Sequence, residues 1–274
     1  MKGLRVFAAL IAAVVVAACG EKNAAQNISA PIAGSAVKFF NFGVNAPAVN
    51  FYADTQKISA AAPTTTTTCN NGVTGTTTDS VCLTTGREST NGTGYGTSAS
   101  TIGLYYSLKP GTYTLSGRIT ATTDNGVAIS NTSAALENGK FYSYYLSGIY
   151  NTTTKTVEGF IVEDPLPTID VTATFVRFVN ASSNSQPMTL HLKNASGADT
   201  TVGSAVAYKG ASAFVRVDPG TYNLSTYVTG STTAAISRTG VAFNAGHVYT
   251  VTAYGDMTVA TGTNVPKLDN TANW

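Results

Sequence analysis

The sequence predicts an all-β protein built as two tandem immunoglobulin-like β-sandwich domains. Beyond Gly20, apolar residues occur in short alternating runs, and no window keeps the 3.6-residue period of a helix. One string occurs twice, as Lys109-Pro-Gly-Thr-Tyr-Thr-Leu-Ser116 and as Asp218-Pro-Gly-Thr-Tyr-Asn-Leu-Ser225. Turn residues recur every 8–12 positions, which is the spacing expected for the short strands of a sandwich.

The repeated string predicts a turn followed by a half-buried strand. Pro-Gly fixes one φ angle and frees the next, as a type II turn requires. The strand then alternates, with Tyr113, Leu115 and Ile119 on one face in the first copy and Tyr222, Leu224 and Val228 in the second. A later strand repeats in the same way, since Tyr142, Tyr144 and Leu146 match Tyr249, Val251 and Ala253 on the expected core face. Ser143 and Ser147 are expected on the outer face.

Residues 1–18 are expected to form a signal peptide, because Lys2 and Arg5 precede an apolar run that is too short to span a membrane. The string Val16-Ala-Ala-Cys-Gly20 resembles a bacterial lipobox. The resemblance implies cleavage before Cys19, diacylglycerol on its sulfur and acylation, such as palmitate, on the new amine. An ordinary secretory signal with an incidental cysteine is the alternative.

The expected location is therefore the bacterial cell envelope, with the membrane as a partner through the N-terminal lipid. Gly20 after the cysteine favours the outer membrane, and the periplasmic or surface face is left open. Residues 19–35 are polar and predict a tether.

The first sandwich is expected over residues 36–164, with an insertion at 59–100 rich in Thr, Ser and Gly. The insertion has too few apolar residues to fold by itself. Its Cys69 and Cys82 are expected to form a disulfide, since paired cysteines in an exported chain are usually oxidised. A metal pair is the alternative.

Residues 165–169 are expected to be a linker, because Pro165 and Pro167 favour an extended connection. The second sandwich is expected over 170–274. Its predicted strands are Thr174–Asn180, Thr189–Leu192, Ala213–Val217, Thr221–Tyr227, Ala235–Phe243, His247–Tyr254 and a last one near Met257–Val259.

Charged residues make up only 11% of the chain. Once Lys2 and Arg5 are removed with the signal, the 16 basic residues fall to 14, against 14 acidic ones. Without a basic run there is no surface to follow a phosphate backbone, so nucleic acid is not an expected partner.

Two strings carry a family resemblance. Val37-Lys-Phe-Phe-Asn-Phe-Gly-Val-Asn-Ala-Pro-Ala-Val-Asn-Phe-Tyr52, and the Leu108-Lys-Pro-Gly-Thr-Tyr113 turn with its later Leu136-Glu-Asn-Gly-Lys-Phe-Tyr142 strand, resemble the bacterial extracellular domain of unknown function 4397. The resemblance implies a β-sandwich, a tandem arrangement and an envelope location. It brings no catalytic residues.

The candidate catalytic residues do not assemble into a known motif. His191 is expected to face outward or to have its hydrogen bonds satisfied, and His247 is expected to face solvent. Glu163 and Asp164 are adjacent, so they point to opposite faces of a strand. Their counterparts in the second copy are expected near Lys267-Leu-Asp269. We therefore expect no enzyme activity, no cofactor and no metal site.

The sequence favours a non-catalytic envelope lipoprotein that binds or scaffolds, with a glycan or an envelope protein as partner. Tyr95, Tyr105 and Tyr106 flank the insertion and are candidate binding residues, with core or edge packing as the alternative for each. The alternative functions are an envelope hydrolase or metal-dependent enzyme with an interdomain site, and a spacer without a ligand.

Overall fold

The fold was taken from a computed structural model, which describes residues 34–59, 67–69, 82–84, 92–99 and 105–273. The predicted signal peptide 1–18, the lipobox Cys19 and nearly all of the predicted tether 19–35 lie outside these residues.

The described residues form strands, turns and loops, and none of them lies in a helix, so the all-β prediction is confirmed. No helix that could span a membrane is found in this part of the chain. The strands are β1 (Ser35–Asn41), β2 (Val49–Ala53), β3 (Gln56–Lys57), β4 (Thr67–Cys69), β5 (Cys82–Thr84), β6 (Thr97–Ser98), β7 (Tyr106–Leu108), β8 (Gly111–Ile119), β9 (Thr132–Leu136), β10 (Phe141–Asn151), β11 (Thr156–Glu163), β12 (Thr174–Asn180), β13 (Met188–Asn194), β14 (Asp199–Val206), β15 (Val215–Val217), β16 (Gly220–Val228), β17 (Ile236–Phe243), β18 (Val248–Tyr254) and β19 (Lys267–Ala272).

The first sandwich pairs two sheets. One has the order β11-β10-β1-β6, with β7 also paired to β1, and the other has the order β3-β2-β8-β9. Alternate residues of each sheet fill the core between them, including Val37, Phe39, Phe51, Leu115 and Tyr144. Tyr144 also places its hydroxyl 2.7 Å from Ser130 Oγ, so its polar end is satisfied inside the core.

The second sandwich has the same strand order. Its sheets are β15-β12-β18-β19 and β14-β13-β16-β17. In both sandwiches the first strand runs parallel to a late one, as β1 does with β10 and β12 with β18. A parallel pair of strands therefore lies within one sheet of each sandwich. Immunoglobulin constant domains place their first and second strands in one sheet, whereas here β1 and β2 lie in different sheets.

The sequence prediction missed two strands of the second sandwich, β14 and β19. Met257–Val259 lies in a turn rather than in the predicted last strand, and β19 begins ten residues later, at Lys267. In β14 only Val202 and Val206 are buried, and in β19 only Leu268. With so few buried positions, neither edge strand shows the alternation on which strand prediction depends.

The two sandwiches pack against each other through the faces of the β10 and β18 sheets that point away from their own cores. Phe42 stacks on Tyr254 with ring centroids 4.3 Å apart, and Phe40 stacks on Tyr145 at 4.7 Å. Val179, Ala181 and Phe160 complete this cluster. Ser143 and Ser147, predicted on the outer face, are therefore fully buried.

The predicted insertion 59–100 contains structured residues at its end. Thr93 bridges to Val49, and β6 pairs with Phe40 and Asn41 of β1, so residues 92–99 belong to the first sandwich. Within the insertion, β4 and β5 form an antiparallel pair.

Candidate functional site

The buried polar groups concentrate at the contact between the sandwiches. We call them the interface network, which consists of Lys38, Tyr105, Ser143, Asp164, Arg177, Thr250 and Asn273. Lys38 lies on β1 and Arg177 on β12, each one residue after a core valine. Because side chains alternate along a strand, both cations point away from their own core and into the interface.

Arg177 is fully buried, and each of its three guanidinium nitrogens donates a hydrogen bond. Its Nε donates to Thr250 Oγ1 at 3.0 Å, its Nη1 to the Glu163 carbonyl at 2.9 Å, and its Nη2 to Asp164 Oδ1. The Phe214 ring lies 4.9 Å from the guanidinium carbon. A buried cation is tolerated when a carboxylate and hydrogen-bond acceptors replace its hydration in this way.

Lys38 is 1% exposed, and among the described residues no carboxylate forms an ion pair with it. Its Nζ donates to the Ala272 carbonyl and to Asn273 Oδ1, the latter at 3.3 Å, and it lies 4.4 Å from the centre of the Tyr105 ring. Burial lowers the pKa of the Lys38 amine to about 8, with Arg177 acting in the same direction and Asp164 opposing it.

The contacts of the two cations are reciprocal. Glu163 pairs with Tyr142 at the end of β11, and Ala272 pairs with Tyr249 at the end of β19. The counterparts of Glu163 and Asp164 are therefore Ala272 and Asn273, and the expected match near Lys267–Asp269 is wrong. Each cation reaches the last strand of the other sandwich, as residues do across an isologous dimer interface.

Asp164 connects the two halves of the network. Its Oδ2 accepts hydrogen bonds from Tyr105 at 2.7 Å and from Ser143 at 2.8 Å. The Tyr105 hydroxyl is also 3.4 Å from Asn273 Oδ1. Burial and then the Asp164 charge raise the pKa of the Tyr105 phenol far above its usual range, so Tyr105 keeps its proton.

The three tyrosines predicted to bind a ligand lie in different contacts. Tyr105 belongs to the interface network. Tyr106 packs edge-on against Phe39 at 5.9 Å and donates to the Ala99 carbonyl. Tyr95 packs edge-on against Tyr254 of the second sandwich at 5.8 Å, and burial raises the pKa of its phenol to about 12.

Tyr95 has a counterpart that the sequence comparison missed. Tyr208 places its hydroxyl 2.6 Å from Ser147 Oγ of the first sandwich, and Ser147 is the counterpart of Tyr254. The residue after each tyrosine has a positive φ, 78° at Gly96 and 66° at Lys209. The Gly96 amide donates to the Asn41 carbonyl, and the Lys209 amide donates to the Asn180 carbonyl. Each sandwich thus inserts one tyrosine against its neighbour.

The histidines lie apart from the interface network. His191 Nδ1 is 3.1 Å from Asp199 Oδ1 on an outward sheet face, and His247 Nδ1 is 2.9 Å from the Ala245 carbonyl. Among the residues that the structure describes, no three His, Cys, Asp or Glu side chains come together as metal ligands would.

A shallow groove of about 350 Å³ lies on the second sandwich, beside β17. Ile236, Met257, Val259 and Pro266 contribute to its lining, which includes no titratable side chain. Ser237 and Thr258 also line the groove, so it offers hydroxyl groups beside the apolar side chains but no acid or base.

In the insertion, Cys69 and Cys82 are directly opposite each other in the β4–β5 register. Residues opposed in an antiparallel pair have Cα atoms about 4.5–5.5 Å apart, within the range that a disulfide can bridge. The disulfide itself stays a prediction.

The family model described as a domain of unknown function, DUF4397, matches residues 91–191. No curated protein matches the chain. The matched span begins before β6 and ends within β13, so it covers strands of both sandwiches and includes Tyr105, Asp164 and Arg177 of the interface network. Residues 91–191 are therefore similar to the family that the sequence analysis named.

Proposed function

We propose that the protein is a non-catalytic cell-envelope lipoprotein in which a tandem pair of DUF4397-like sandwiches forms a rigid binding or scaffolding module. The observation that carries this proposal is the interface network. Its charged groups are buried, and Arg177 and Asp164, each 1% exposed or less, are paired with each other. Groups held in this way maintain the arrangement of the sandwiches and are closed to a substrate.

Membrane attachment through Cys19 is part of the proposal and rests on the lipobox-like string. Metabolic labelling with a palmitate analogue, followed by membrane fractionation, tests it. We expect label and membrane association in the native sequence and loss of both in Cys19→Ser. Labelling that persists in the variant would contradict lipidation at this residue.

The insertion is the proposed display segment, with a glycan or an envelope protein as the partner. The structure limits how it should be tested, because residues 92–99 are part of the first sandwich. We would replace residues 60–91 with a short Gly/Ser linker and keep Thr93, Tyr95 and β6. Binding to arrayed envelope glycans and crosslinking in intact cells should both weaken. Binding that survives the deletion would remove the insertion from the proposal.

The Cys69–Cys82 disulfide would fasten the insertion. Closing a loop of this size contributes about 3 kcal/mol in the chain-entropy model. Thiol labelling of the unfolded protein without reductant should leave both cysteines unmodified, and labelling after reduction should modify both.

A further inference from the structure

We propose that Lys38 and Asn273 react with each other to form an intramolecular amide bond, which joins the first strand of the first sandwich to the end of the last strand of the second. This bond would lock the two sandwiches together covalently. It requires only groups that the interface network already holds in contact.

The nucleophile is the Lys38 amine. It is almost completely buried, and its nitrogen is 3.3 Å from Asn273 Oδ1, the oxygen bonded to the carbon that it would attack. A nucleophile that is already held against the group it attacks loses little further entropy on reaching the transition state. Burial also lowers the pKa of this amine to about 8, so about a tenth of it carries the free electron pair at pH 7 and about half at pH 8.

The electrophile is the Asn273 carboxamide. Asn273 is 6% exposed, and its Nδ2 donates to Thr250 Oγ1 at 2.9 Å, which fixes the orientation of the amide. The Tyr105 hydroxyl lies 3.4 Å from Oδ1 and 2.7 Å from Asp164 Oδ2. Its retained proton can shift toward Oδ1 and stabilise the negative charge that develops there during attack.

The step balances without an added reagent. The Nζ–Cγ bond forms, and negative charge gathers on Oδ1 beside Tyr105. The tetrahedral carbon then expels Nδ2, which takes a proton from the attacking nitrogen and leaves as ammonia. The products are a secondary amide and one ammonia, and nothing is oxidised or reduced.

The equivalent pair in the network cannot react in this way. Arg177 occupies the place of Lys38, and Asp164 that of Asn273. A guanidinium stays protonated and is a poor nucleophile, and an ionised carboxylate is a poor acyl donor. One half of the interface therefore holds a salt bridge, while the other holds an amine against an amide.

Tryptic digestion of the purified full-length protein tests the proposal. Trypsin cuts after Lys22, Lys57 and Lys267 but not after an acylated lysine. We expect peptide 23–57, uncut at Lys38, joined to peptide 268–274, with a mass one ammonia below the sum of the two. Fragmentation should place the bond on Lys38 and Asn273. Complete cleavage at Lys38 with free 268–274 would overturn the proposal.

Two variants test the roles of the side chains. Lys38→Arg is the matched control, because an arginine already makes the equivalent contacts in the other half, and it should give no linked peptide. Tyr105→Phe should slow linkage at least tenfold during refolding, while circular dichroism confirms the β fold. Linkage at the native rate in Tyr105→Phe would exclude the role of its hydroxyl.

Discussion

Lys38 and Arg177 occupy equivalent positions on β1 and β12, and each donates hydrogen bonds to the end of the other sandwich's last strand. Their aromatic neighbours, Tyr105 and Phe214, are equivalent as well, lying 4.4 Å and 4.9 Å from the cations. The contacts thus repeat about an approximate two-fold relation, although the charges differ. The first sandwich supplies the carboxylate, and the second supplies a carboxamide.

Removing the carboxylate should strongly destabilise the protein. Asp164→Ala leaves the Arg177 cation buried without its partner, which typically costs about 3–5 kcal/mol. Urea denaturation measures this as a lower midpoint. The control is Asp218→Ala, whose side chain is 89% exposed and should change stability by less than about 0.5 kcal/mol. Equal midpoints for the two variants would show that the buried pair contributes little.

The aromatic contact between the sandwiches should matter as much as a core contact. Phe42 is 1% exposed and stacks on Tyr254, so Phe42→Ala should cost about 3–5 kcal/mol in the free energy of unfolding. Phe51→Ala, inside the first core, provides the comparison. Limited proteolysis separates the two effects. Phe42→Ala should expose the linker at 165–169 to cleavage while each sandwich survives, whereas Phe51→Ala should lead to loss of the first sandwich.

The rate of amide formation should depend on pH with a midpoint near 8. The protonated Lys38 amine cannot attack, so below pH 8 the rate should fall about tenfold for each pH unit, and above it the rate should level off. Asp164, Arg177 and Tyr105 face this amine. Tyr105 keeps its proton throughout, because burial raises its pKa far beyond this range.

Protein that is isolated before it has folded carries no linkage, because the two side chains meet only in the fold. It can be refolded at several pH values while the linked peptide is quantified. Asn273→Ala is the negative control, because it removes the side-chain carboxamide that the amine would attack. A rate that is flat between pH 6 and pH 9 would contradict a titrating nucleophile.

The sequence predicted the sheets more completely than the site, for physical reasons. The repeated strings around Tyr113 and Tyr222 showed the alternation that one buried face imposes, so β8 and β16 could be found. The sequence also repeats Val37-Lys38 as Val176-Arg177, and alternation along a strand places each cation on the side away from its core valine. Nothing local to those residues indicated that a second sandwich would cover that side.

The partners of the cations were missed because β19 was missed. With Leu268 as its one buried residue, β19 carries no alternating pattern, and the alignment of the second copy ended at the wrong strand. Asn273 therefore could not be recognised from the sequence as the counterpart of Asp164. Contacts 235 positions apart, such as that of Lys38 with Asn273, depend on the complete topology.

The covalent link should account for a large part of the stability. Lys38 and Asn273 are 235 positions apart, and a crosslink closing so long a loop removes unfolded-state entropy worth about 5 kcal/mol in the chain-entropy model. Lys38→Arg keeps a cation in place but cannot form the amide, so its melting temperature should fall by about 10 °C or more. Differential scanning calorimetry on protein whose linkage has been verified by mass spectrometry measures the difference. Protein of the native sequence that is refolded at low pH, where linkage has not yet occurred, should have a melting temperature close to that of Lys38→Arg when both are measured at that pH. If it melts at the temperature of the linked form, the stability comes from packing alone.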